Sequence, residues 1–161
     1  MRDELEKLAS SYARLSHDVG GRINFACDLD SDVALDLAEQ EKAHLDQAFF
    51  VLGFAALERQ ITLLASATLV DAGRRDAMRE ASFEKRWQAS IQVANEILET
   101  EIPWRTAERM IFSWYSIRNL IAHGQSPTQL ADVPTVLYRA DDVAVTLAQV
   151  TRGLGDRREQ R

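Results

Sequence analysis

One segment constrains the fold more than any other. From about Glu41 to Val70 the chain has the pattern of one long helix, and between Phe49 and Leu69 that helix is apolar on nearly every face. Such a helix is either central to a core or shared with a second subunit. The remainder has few residues suited to repeated tight turns. It holds 7 Gly and 3 Pro in 161 residues, few for an all-β fold that turns about every ten residues. With 46% hydrophobic and 27% charged residues, the chain has ordinary globular composition and enough length to bury a core. The expectation is an all-α, single-domain helical bundle of about five helices joined by short connections.

The other helices follow from spacing and stop signals. Leu5, Leu8, Tyr12 and Leu15 fall three and four residues apart and predict an amphipathic helix over about Asp3 to His17, stopped by Gly20-Gly21. Asp28, Asp30, Ser31 and Asp32 offer N-caps for an acidic helical stretch from Val33. The long helix should end near Asp71-Ala-Gly73, where Gly suits a left-handed C-terminal cap. A basic stretch of Arg74, Arg75, Arg79, Lys85 and Arg86 flanks a possible cap at Ser82, and a helix from about Phe83 to Glu99 buries Trp87, Ile91, Ala94, Ile97 and Leu98. Pro103 closes it, because the proline ring blocks a continuing helical backbone. The next helix spans Thr106 to His123, with Gly124 as its stop. Residues 125–136, with Pro127 and Pro134, form a loop, and Asp141 or Asp142 caps a last helix to about Arg152. The expected organisation is an acidic helical extension over residues 1–40, a bundle over 41–153 and a disordered tail over 154–161.

Cys27 stands alone, so no internal disulfide or CxxC metal pair can form. The first residues, Met1 to Lys7, are charged and unlike a signal peptide. The longest apolar run, Ala48 to Leu57, is about half the length of a bilayer span. A soluble, cytoplasmic protein without a membrane partner is expected. The net charge of −6 lies entirely in residues 1–47, which carry 11 acidic and 5 basic residues. Residues 48–124 balance at 9 of each, and 125–161 at 5 of each. Net acidity lowers the odds of tight duplex DNA binding, but a local RNA site depends on the local field.

The segment Ser116-Ile-Arg-Asn-Leu-Ile-Ala-His-Gly124 carries the chemistry. On a helix Asn119 and His123 share a face, with Ser116 on the same stripe. Arg118 is rotated by about 100° from Asn119, but its long side chain can reach across at the helix end. Histidine exchanges protons near neutral pH, and arginine offers a permanently charged planar fork to phosphate oxygens. Asparagine can orient a hydroxyl or hold the imidazole. Cleavage of RNA by its own 2′-hydroxyl requires a proton acceptor, a proton donor and a cation for the developing phosphorane charge, and no metal. His17 and His44 form no HxxxH or HExxH pair, so neither metal nor cofactor is expected. A terminal histidine can instead simply meet the helix dipole, and exposed Arg and Asn are commonly solvated.

Arg118-Asn119 followed by His123 resembles the Arg-x4–6-His signature of HEPN domains, in which a polar residue, often Asn, commonly follows the Arg. The segment Phe49-Phe-Val-Leu-Gly-Phe-Ala-Ala-Leu-Glu-Arg59 is similar to the earlier core helix of that family, which often carries an acidic residue facing the signature. The likeness covers about residues 40–150. It implies that Arg118 contacts a scissile phosphate, His123 transfers protons, Asn119 supports the site, and Glu58 orients or pairs with Arg118 or His123. Tyr115 is the candidate for stacking a base, with Ser116 beside it at the substrate. The resemblance further implies a homodimer with a composite cleft, RNA as substrate, and a toxin or phage-defence role under an antitoxin or other protein partner. Gln125 stands where the subgroup paired with nucleotidyltransferase antitoxins has a tyrosine, which argues against that partner. The competing expectations are a non-catalytic interaction or regulatory module that binds a protein or nucleotide, and an enzyme acting on a free nucleotide.

Overall fold

The computed structural model describes residues 2–69, 71–98 and 104–159, with side-chain surroundings for 4–69, 71–97, 104–143, 145–147 and 149–150. These residues form six α-helices and no strand: α1 Arg2–Asp28, α2 Asp32–Ala67, α3 Ala72–Glu80, α4 Phe83–Leu98, α5 Arg105–Ala122 and α6 Val133–Glu159. The all-α class is as expected, with one more helix than the sequence suggested.

The core is built around α2, which packs against every other helix. Phe50, Phe54, Leu57 and Ile61 are completely buried, and Phe49, Ala56, Leu64 and Ala65 nearly so. Each large apolar side chain taken fully out of water contributes about 1.5–3 kcal/mol before entropy is counted, so this run favours a multi-helix neighbourhood. Half of the most apolar stretch of α2 is covered by the other helices; by length and composition alone that helix could cross a bilayer.

Residues 1–40 are not an appendage. α2 begins at Asp32, capped by Ser31 through its hydroxyl to the Ala34 amide, and passes residue 40 unbroken. α1 lies along it with Leu5, Tyr12, Val19 and Ala26 buried, a seven-residue spacing that keeps one seam facing a neighbouring helix. Polar contacts fasten the pair. The Tyr12 hydroxyl donates to Asp46 Oδ1 at 2.8 Å, and Lys42 Nζ reaches the same oxygen at 2.5 Å and the Tyr12 hydroxyl at 3.1 Å. Burial disfavours the Lys42 ammonium, but its hydrogen bonds and attraction to Asp46 and Tyr12 outweigh that and raise its pKa. Arg59 pairs with Glu4, and Arg22 with Glu41 at 3.0 Å.

Several expected boundaries move. Gly20-Gly21 lie inside α1 rather than ending it; the buried seam on both sides holds the helix through a local cost of about 1 kcal/mol per glycine. Gly73 does not cap α2, which ends at Thr68. Asp71 instead accepts the Arg74 amide at 2.9 Å and opens α3, where the sequence showed only a basic stretch. Ser82 caps α4 through the Lys85 amide, while Pro103 lies outside the described residues. Asp132, not Asp141 or Asp142, caps α6, accepting from the Thr135 amide at 3.0 Å. Pro134 falls in the first turn of α6, where its missing N–H costs nothing. α6 also runs through residues 154–159, assigned to a tail from sequence.

Gly53 sets the approach of α2 to α6. A Cβ there would lie 2.6 Å from Leu137 Cδ2, and Leu137 is itself buried. Around Gly20 and Gly21 an added Cβ meets nothing within 4 Å. Two opposite outcomes are therefore expected in urea unfolding. Gly53→Ala should destabilise by about 1–2 kcal/mol, overpacking exceeding the gain in helix propensity. Gly20→Ala and Gly21→Ala should each stabilise by up to about 1 kcal/mol.

Candidate functional site

The segment singled out in the sequence closes α5. Ile111 and Trp114 anchor that helix in the core, and it packs chiefly on α2, with ring contacts to α4 through Phe83. Its end is a Schellman motif. Gly124 takes φ +70°, a left-handed conformation that glycine adopts without strain. The Gly124 amide donates to Ile121 O at 3.0 Å, and the Gln125 amide to Leu120 O at 2.9 Å. His123 is the residue at the cap, and its side chain is exposed. The stop predicted at Gly124 is where the helix stops, and the imidazole is left open to solvent.

One turn earlier, Arg118 Nη1 donates to the side-chain oxygen of Asn119 at 3.1 Å. The sideways reach expected of Arg118 is thus realised, and Asn119 holds the guanidinium. Arg118 is half-buried and its Nε is buried without a hydrogen-bond partner. Among the described residues it has no carboxylate partner, whereas Arg22, Arg59, Arg79, Arg86 and Arg139 each pair with an acid. A half-buried cation with an unmet donor is unfavourable until an anion or water meets it. Ser116 is exposed, its hydroxyl donating back to Phe112 O at 3.1 Å.

Two expected members lie elsewhere. Glu58 contacts neither Arg118 nor His123. It accepts from Arg86 Nη2 of α4 at 2.5 Å, while Arg86 Nη1 donates to Thr62 Oγ1 at 2.8 Å. Both side chains of this pair are largely covered, 17% and 14% exposed. A carboxylate embedded in an apolar helix requires a nearby cation, and α4 supplies one. Arg86 belongs to the basic stretch that flanks Ser82; its place one turn after that cap, beside Phe83 and Trp87, is the signal that it points inward. Tyr115 is not a free platform either. It stacks on Phe83 with centroids 4.5 Å apart and planes at 11°, and leans on Phe54 at 6.1 Å. Aromatic pairing of this kind is worth about 0.5–1.5 kcal/mol beyond burial, so Tyr115 joins α5 to the core.

The described candidate site is therefore a three-residue set, Arg118, Asn119 and His123, on an exposed helix end. It offers a held cation for one phosphate and one group for proton transfer. No protein-family profile, curated protein or solved structure matches the chain.

The Glu58–Arg86 pair should behave as a structural lock. Glu58→Gln and Arg86→Met are each expected to cost about 2 kcal/mol in urea unfolding, because each leaves a covered partner unmet. The double substitution should cost clearly less than the two combined, the signature of a shared interaction.

Proposed function

We propose that this chain is a metal-independent RNA endonuclease of the HEPN type, working as a homodimer in the cytoplasm in a toxin or phage-defence setting. The observation that supports the reading is Arg118, half-buried, held by Asn119, without an acidic partner among the described residues, and on the same helix end as an exposed histidine. A phosphodiester is the type of anion that a guanidinium fork accepts.

The chemistry proceeds by attack of the RNA's own 2′-hydroxyl. His123 takes the 2′-hydroxyl proton as that oxygen bonds to phosphorus, and Arg118 stabilises the added negative charge on the phosphorane. The bond from phosphorus to the 5′-oxygen then breaks, and a second acid protonates the leaving oxygen. One chain contributes one His123, so two symmetric copies facing each other would supply both the base and the acid. Leu120, 39% exposed within the same segment, and the peripheral position of α5 are compatible with such a face-to-face arrangement.

The second reading is a non-catalytic helical interaction module. Its specific support is that Glu58 and Tyr115 are spent on packing, leaving fewer groups for chemistry. Incubating the purified chain with mixed RNA in EDTA separates the two. Cleavage should occur, and His123→Ala and Arg118→Ala should each lower its rate at least about a hundredfold. Arg118→Lys should also be impaired, because a point charge does not replace the fork. Equal cutting by His123→Ala, or no cutting of any RNA, would leave the interaction module as the better reading.

A further inference from the structure

A groove of about 440 Å³ lies between α1 and α6, away from α5. Leu5, Tyr12 and Leu137 form its buried floor, and Ala9, Ala13 and Tyr138 lie exposed around it. The volume falls within the range of small-ligand sites, which combine apolar walls with a few fixed polar groups. We propose that this groove binds a small organic cation, an amine carried on an apolar or aromatic body.

Asp141 supplies the principal reason. It lines the groove, and its Oδ1 is buried without a hydrogen-bond partner. A carboxylate oxygen removed from water with nothing donating to it is unfavourable, and a ligand N–H would relieve that. The neighbouring polar group is already committed: the Tyr12 hydroxyl donates to Asp46 and accepts from Lys42, so it presents its ring to the groove rather than a free donor. Among the described residues, no Lys or Arg lines the groove. The field favours the same sign of ligand, because α1 lies in the third of the chain that carries the whole net charge of −6. Tyr138, 65% exposed at the rim, offers a π face that attracts a cation or stacks an aromatic body. Arg139 approaches that ring at 5.9 Å and also pairs with Asp142 at 3.7 Å, leaving Asp141 unneutralised. The inference does not rest on the ribonuclease reading, since no residue of α5 takes part.

The test uses the full chain labelled with ¹⁵N and titrated with 2-phenylethylamine, with 3-phenylpropanoate and 2-phenylethanol as matched controls. The amine should give saturable amide shifts confined to residues 5–16 of α1 and 134–141 of α6, and the carboxylate none. Asp141→Asn should weaken amine binding roughly tenfold, the equivalent of one charged hydrogen bond. It should leave the thermal midpoint unchanged or higher, because it removes an unpaired carboxylate. Ala9→Trp at the exposed rim should block binding without touching the core. Equal binding of amine and carboxylate, an unchanged affinity in Asp141→Asn, or no saturable shift by any probe would overturn the proposal. So would a dimer in solution whose interface covers the groove, which would make its occupant a second copy.

Discussion

The fold depends on the all-round burial of α2. A helix with one apolar stripe needs one neighbour; α2 is apolar on several faces and needs several. α1 and α6 take part of its circumference, α4 and α5 another part, and Gly53 permits the close approach of Leu137. This requirement explains why α1 continues through two glycines. The seam from Leu5 to Ala26 contributes more than Gly20 and Gly21 cost, so tertiary packing overrides local propensity.

The same helix determines what the candidate site can contain. Glu58 sits in its apolar run, where a charge is tolerated only with a close partner. Arg86 meets that need from α4, and Thr62 ties the guanidinium down further. A carboxylate held in this way is unavailable to orient His123, so any chemistry at the end of α5 relies on Arg118, Asn119 and His123 within one copy. Tyr115 is similarly engaged: its stack on Phe83 orients α5, and that orientation determines where Arg118 and His123 emerge. Glu58 and Tyr115 therefore support the site through the core, at a distance from it.

The sequence made legible what is local and periodic. The helical class, the α4 cap at Ser82, the stop at Gly124 and the exposed imidazole beside it all follow from spacing and from residues with strong backbone preferences. What it hid is decided between elements. Asp71, Asp132, Asp141 and Asp142 all have the composition of caps, and only packing selects Asp71 and Asp132. Whether Glu58 pairs with Arg59, Arg86 or Arg118 depends on the rotation of α4 and α5 about α2, which no spacing within one helix encodes. The boundary drawn at residue 40 failed for a related reason: a change in charge along α2 looked like a change in structure, but it is the emergence of one helix from an acidic flank into the core.

Among the described residues, two half-buried charged side chains have a buried polar atom unmet and no partner of opposite charge, and their separation bears on function. Arg118 lacks an anion at the end of α5, and Asp141 Oδ1 lacks a donor between α1 and α6. α6 packs on α1, α2 and α4, while α5 packs chiefly on α2, so the topology does not bring these two groups together to neutralise each other. A fold under selection for stability alone would gain by pairing each of them or replacing it with an apolar residue. Every other arginine among the described side chains is either paired with an acid or exposed to water. The two exceptions are opposite in sign and lie on different elements, which fits two separate ligands better than one: a phosphate-bearing molecule at α5 and a cation in the groove.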